Sequence, residues 1–74
     1  IIIVMYFADN KRHHLSHIHV KYVDTEAVYA IPNGKLIEGE LPKGKERLVE
    51  AWIELHKDEL MANWTLATLK SAII

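Results

Sequence analysis

Ser16-His17-Ile18-His19-Val20-Lys21-Tyr22 is the stretch that decides the fold. His17, His19 and Lys21 alternate with Ile18, Val20 and Tyr22, and a period of two marks a strand with one face buried. Downstream, Asp24-Thr25 reads as a turn. Residues 26–31 then form a second strand with Ala27, Tyr29 and Ile31 on one face. Pro32-Asn33-Gly34 is turn chemistry, because Asn and Gly tolerate positive φ. Residues 35–39 return as a short strand. Upstream, the polar residues 8–14, with Asp9 and Asn10, read as a loop. Before them Ile1-Ile2-Ile3-Val4-Met5-Tyr6-Phe7 is β-branched and aromatic, as a strand over residues 1–7 requires. Every connection is short, so an antiparallel meander of three to four strands is the economical topology.

Pro42 marks a change of period. Beyond it Leu48, Val49, Trp52, Ile53, Leu60, Trp64 and Ala67 recur mostly three or four apart, which predicts an amphipathic helix over residues 43–68. Glu50, Glu54, Lys57 and Asp58 form its solvent face. Pro42 suits the first helical position, where its missing N–H costs nothing. The reading leaves open a kink at His56-Lys57-Asp58-Glu59, with Asp58 as a second N-cap. The tail from Thr68 to Ile74 is expected to fray. The fold class is therefore α+β: one small domain, a meander covered on one face by the helix. Ile18, Val20, Tyr22, Ala27, Tyr29 and Ile31 should meet Val49, Trp52, Ile53 and Leu60. The opposite face, with His17, His19, Lys21 and Glu26, should stand open to solvent or to another molecule.

Composition sets the outer limits. At 74 residues, 50% hydrophobic and 26% charged, the chain suits one globular domain, with no room for separate cofactor and substrate halves. With no cysteine, a disulfide scaffold and a thiolate zinc site are excluded. A formal net charge of −1 gives no whole-chain basic footprint for nucleic acid. The first apolar run is too short to span a bilayer, and Lys57-Asp58-Glu59-Leu60 is an internal match to a C-terminal retention signal. A cytoplasmic protein without a membrane role is therefore expected. The chain opens at Ile1 without methionine, and the expectation is that residues are missing upstream. Asn63-Trp64-Thr65 matches a glycosylation sequon by chance in a helical setting. A core this small gains from a partner chain or a metal.

Histidine forms the one dense constellation, in Lys11-Arg12-His13-His14-Leu15-Ser16-His17-Ile18-His19. His17 and His19, two apart in a strand, point the same way. With His14 or His13 arriving from the loop, they are the candidate ligands for a transition metal. No Cys or HExxH accompanies them, so no cofactor is expected and metal is the alternative. A histidine-triad nucleotide hydrolase would need a third alternate His where Lys21 stands. His17, His19 and Lys21 are also the candidate catalytic set for RNA cleavage, with imidazoles moving protons and Lys21, Arg12 or Tyr6 nearby to assist at the phosphate. The bland reading is a solvated polar face. Trp52 and Trp64 read as core or interface filling rather than a base-stacking platform, because the helix is rich in Glu and Asp.

Several ordered pieces resemble one bacterial family. They are Ile1 to Phe7, His17-Ile18-His19-Val20, Glu26-Ala27-Val28 and Leu36-Ile37-Glu38-Gly39-Glu40-Leu41-Pro42. Arg47-Leu48-Val49, Trp52, Leu55-His56-Lys57-Asp58-Glu59-Leu60 and Ala62-Asn63-Trp64 follow. Together they look like the domain of unknown function 4160. Leu15-Ser16 stands where the family pattern has two prolines, which bears on the stiffness of the loop and not on the strand. The resemblance implies no established activity. It implies a small protein encoded beside a second one (domain of unknown function 2442), in a toxin–antitoxin-like pair. His17 and His19 match the family's H-x-H motif, and no catalytic role comes with them. The partner expected is that second small protein or a second copy, with RNA as the alternative. The function expected is an interaction module; a histidine-based or metal-assisted ribonuclease and a non-catalytic scaffold are the alternatives.

Overall fold

In the computed structural model, residues 1–5 and 15–73 are described, those from 68 onward as helix backbone alone. Four strands, β1 (Ile2–Val4), β2 (His17–Tyr22), β3 (Thr25–Ala30) and β4 (Leu36–Gly39), form one antiparallel sheet in chain order. One helix, α1 (Lys43–Ile73), follows. This is the α+β meander that the alternation in β2 predicts. Residues 6 and 7 of the expected first strand, and the expected loop over 8–14, lie outside the described residues.

Tyr22 pairs with Thr25, so Val23 and Asp24 make the turn, one residue earlier than Asp24-Thr25. Val23 takes φ 54° to close it. A β-branched side chain in that region is costly, and the exposed Val23 gains no burial in return. The β3–β4 turn behaves as its residues dictate. Ile31-Pro32 is cis, Gly34 sits at φ 72°, and the Asn33 side chain accepts a hydrogen bond from the Lys35 amide at 2.9 Å. Within β4, Glu38 pairs with Val28 and Leu36 with Tyr29, leaving Ile37 as the extra residue of a bulge.

The inner sheet face packs as expected. Ile18, Val20, Ala27, Tyr29 and Ile31 form one cluster with Leu41 and with Val49, Ile53 and Leu60 of α1, and Tyr22 and Trp52 pack against it. The opposite face departs from expectation. It is closed at one end, where His17 is 0% exposed and Val28 and Ala30 are 4% exposed, and open at the other, where Glu26 is exposed and Lys21 half-buried. Ala27-Val28-Tyr29-Ala30-Ile31 is an unbroken apolar run, the mark of a strand buried on both faces rather than one.

Helix α1 begins at Lys43, where the predicted range begins, so Pro42 stands just before the first helical position rather than at it. The Pro42 carbonyl accepts the Lys45 and Glu46 amides at 2.8 and 3.0 Å, so Pro42 is the N-cap. The helix runs unbroken through residues 56–59, with no second cap at Asp58. Local pairs occupy that stretch instead: Lys57–Glu54 at 3.2 Å, His56–Glu59 at 3.3 Å, and the Trp52 and His56 rings 4.8 Å apart. Where fraying from Thr68 was expected, the helix continues to Ile73.

Two positive-φ positions make opposite predictions. Val23→Gly suits the first turn residue and should stabilise the domain by about 1 kcal/mol, a midpoint rise of roughly 4–8 °C. Gly39, at φ 76°, faces the Glu26 carbonyl so closely that an added Cβ would overlap it. Gly39→Ala should lose at least ~2 kcal/mol. Thermal unfolding of both variants checks the pair of signs.

Candidate functional site

The period of two puts His17, His19 and Lys21 of β2 on the face opposite the helix-packed core. The register then places their neighbours. Lys21 pairs with Glu26, His19 with Val28 and His17 with Ala30, while Val28 pairs onward with Glu38 of β4. On the other side Val4 pairs with His19 and Ile2 with Lys21. Two histidines, one lysine and two carboxylates therefore share one side of the sheet.

Both imidazoles are anchored through Nδ1. His17 lies 2.7 Å from the Leu15 carbonyl oxygen. A carbonyl only accepts, so Nδ1–H donates to it, and the neutral ring presents its lone pair at Nε2. His19 Nδ1 lies 2.8 Å from Glu26 Oε2. That contact runs diagonally across the hairpin, from His19 to the residue two before its partner Val28. A carboxylate on Nδ1 orients the ring and fixes the tautomer in which Nδ1 carries the proton. The rings of His17 and His19 are 5.4 Å apart, and the Trp64 ring from α1 stands 5.1 Å from His17 on its other contact.

A cleft of about 280 Å³ opens beside His19, lined by Glu26, Val28, Glu38 and Gly39. The left-handed turn at Gly39 and its missing Cβ let β4 approach the Glu26 carbonyl and close this end. The cleft holds carboxylates from two strands, with the imidazole of His19 between β1 and β3. Such a set can hold and pass a proton, and it would favour a cationic or hydrogen-bond-donating group over a bare phosphate.

Of the sequence-derived candidates, His17, His19 and Lys21 share the face as predicted. His14 and His13 lie outside the described residues. Among the described residues, no three or more His, Cys, Asp or Glu side chains are grouped as metal ligands. Sequence reasoning placed Glu26 on this face without pairing it to His19. It missed Glu38 and Trp64 here. The diagonal contact follows from the hairpin register, which hung on a turn read one residue late.

Tyr29 lies on the helix-packed face, buried, and its hydroxyl has no hydrogen-bond partner among the described residues. Burial pushes its pKa above the usual phenol value, and the carboxylates of Glu46 and Glu50 push it further. An unpartnered buried hydroxyl costs about 1–3 kcal/mol, so Tyr29→Phe should be neutral to stabilising at pH 7. The raised pKa means the folded state holds the phenolic proton longer than the unfolded chain. Its share of stability is present below pH ~10 and is lost as pH rises past that value toward the folded pKa. Denaturant titrations at pH 7 and above pH ~10 should show the alkaline loss shrink in Tyr29→Phe.

The fold and this face define a small α+β domain with a paired-histidine strand. The chain belongs to the family described as Domain of unknown function (DUF4160), whose sequence profile matches residues 1–65. No curated protein and no solved structure shows significant similarity to it. No helix among the described residues is long and apolar enough to cross a membrane.

Proposed function

We propose that this domain is an interaction module, one half of a toxin–antitoxin-like pair of small bacterial proteins acting in the cytoplasm. The observation that carries this reading is an apolar groove of about 340 Å³ between β1 and α1, lined by Ile1, Ile3, Leu48, Val49 and Trp52. Exposed Ile1 and Leu48 stand at its mouth, and exposed Leu55 extends it along α1. A continuous apolar patch on so small a domain marks a surface that another chain covers. Among the described residues the two sheet edges differ in the same direction. The β4 edge carries a bulge, a device that blocks strand addition, whereas the β1 edge is Ile2-Ile3-Val4 with no charge or proline. Native mass spectrometry of the full-length protein, co-expressed with the product of its neighbouring reading frame, should show a complex of fixed stoichiometry. A cooperatively folded monomer that takes no partner would overturn the reading.

A second reading, histidine-based cleavage of RNA, draws support from the His19–Glu26 contact. In it the oriented imidazole of His19 takes the 2′-hydroxyl proton, the 2′-oxygen displaces the 5′-oxygen at phosphorus, that leaving oxygen takes its proton from water, and Lys21 meets the phosphate charge. His19→Ala should then abolish cleavage of a single-stranded RNA while the circular dichroism spectrum stays native. His17 is a poor probe of chemistry, because it is fully buried. His17→Ala opens a cavity and strands the Leu15 carbonyl, for a loss of ~2–4 kcal/mol. Cleavage that survives His19→Ala rules this reading out. A transition metal on His14, His17 and His19 would appear as added mass in the same native spectrum.

A further inference from the structure

Helix α1 has a second apolar face. Leu48, Ala51, Leu55, Ala62 and Leu66 fall on one stripe, since Leu48 and Leu55 are about two turns apart and Leu66 follows Leu48 by about five. All five are exposed, Leu55 at 78% and Leu48 at 58%. Val49, Ile53 and Leu60 face the sheet from the opposite side of the same helix. The stripe borders the groove through Leu48, a residue of both.

We propose that a second copy of this chain covers the stripe, its α1 lying antiparallel to the first and crossing it near Trp52. This rests on the interaction reading above and names the occupant. Charge complementarity selects both the copy and the register. The first turns of α1 carry Lys43, Lys45 and Arg47 with one acid, Glu46, and the next turns carry Glu50, Glu54, Asp58 and Glu59 with one base, Lys57; Glu46 and Lys57 lie on the side of the helix away from the stripe. An antiparallel pair lays the basic end of each helix over the acidic stretch of the other. Arg47, Glu54 and Asp58 lie on one flank of the stripe by helical spacing. With the two-fold axis near Trp52, Arg47 of each copy meets Glu54 and Asp58 of the other, and Leu48 meets Leu55. An axis near Lys57 would also cover Leu66, but it sets Glu54 of one copy against Asp58 of the other, twice. Rim charges add little affinity yet fix register, and like charges placed opposite are penalised. Leu55 and the groove mouth at Leu48 are on the same face of the same helix, which is what a two-fold, self-complementary contact requires.

The test uses the full-length protein; its 74-residue sequence contains no cysteine. Sedimentation equilibrium should show a dimer. Leu55→Glu should convert it to a monomer with native circular dichroism, since Leu55 contributes nothing to the core. Arg47→Glu should weaken association about tenfold or more, and the double variant R47E/D58R should recover it. Ala51→Cys, next to the axis, should form an intermolecular disulfide under mild oxidation, whereas Ala62→Cys should not. The Cys pair keeps the test decisive if Leu55→Glu fails to fold. A dimer indifferent to Leu55→Glu, or cross-linked through residue 62 and not 51, overturns the assignment. A monomer that binds a different protein across Leu48 and Leu55 overturns the second copy but leaves the interaction reading standing. A monomer that binds nothing overturns both.

Discussion

The pairing of β2 with β3 is the constraint on which the structure depends. Both strands are buried on both faces at the end away from the turn, through residues 17–18 and 27–30, so each residue there is committed to one side. A slip of one residue would carry Ile18 and Val20 out of the core and drive His17 and His19 into it. The hairpin holds its register without an ideal turn. Val23 accepts an unfavourable backbone conformation, and the packing of Tyr29, Ile18 and Val20 offsets it. The turn is therefore a result of the register and not its cause.

This explains which features were legible in the sequence. Face assignment depends only on parity, and alternation in residues 17–22 reports parity directly. Cross-strand partners depend on where the turn falls. Moving the turn by one residue shifts the register by two, which keeps every side chain on its own face and changes whom it meets. The inner core was thus readable, and the His19–Glu26 contact was not. The burial of the histidine face was written elsewhere, in the unbroken apolar run of β3, and the polar letters of β2 masked it. His17 shows why: a fully buried imidazole is tolerable when its Nδ1–H reaches a carbonyl, and no pattern in the sequence declares that bond.

The helix posed a different difficulty. Its apolar residues serve two opposed surfaces, so the list of apolar positions mixed Leu48, which is exposed, with Val49 and Ile53, which are buried. A single amphipathic stripe was the wrong template. The His56-Lys57-Asp58-Glu59 stretch looked like a break because four polar residues fall together. In a helix they are spread around the circumference, and pairs three apart tie them to the same rod.

Strand order that follows chain order has a consequence during synthesis. The whole sheet is encoded before Lys43, and apart from Leu41 the residues that cover its inner face come after. Hairpins close in about 1–10 μs, while a ribosome adds about 5–20 residues per second. The finished meander must therefore wait for seconds with Ile18, Val20 and Tyr29 uncovered. Throughout that interval the nascent chain is a sticky sheet seeking a lid, and the first apolar helix it meets need not be its own.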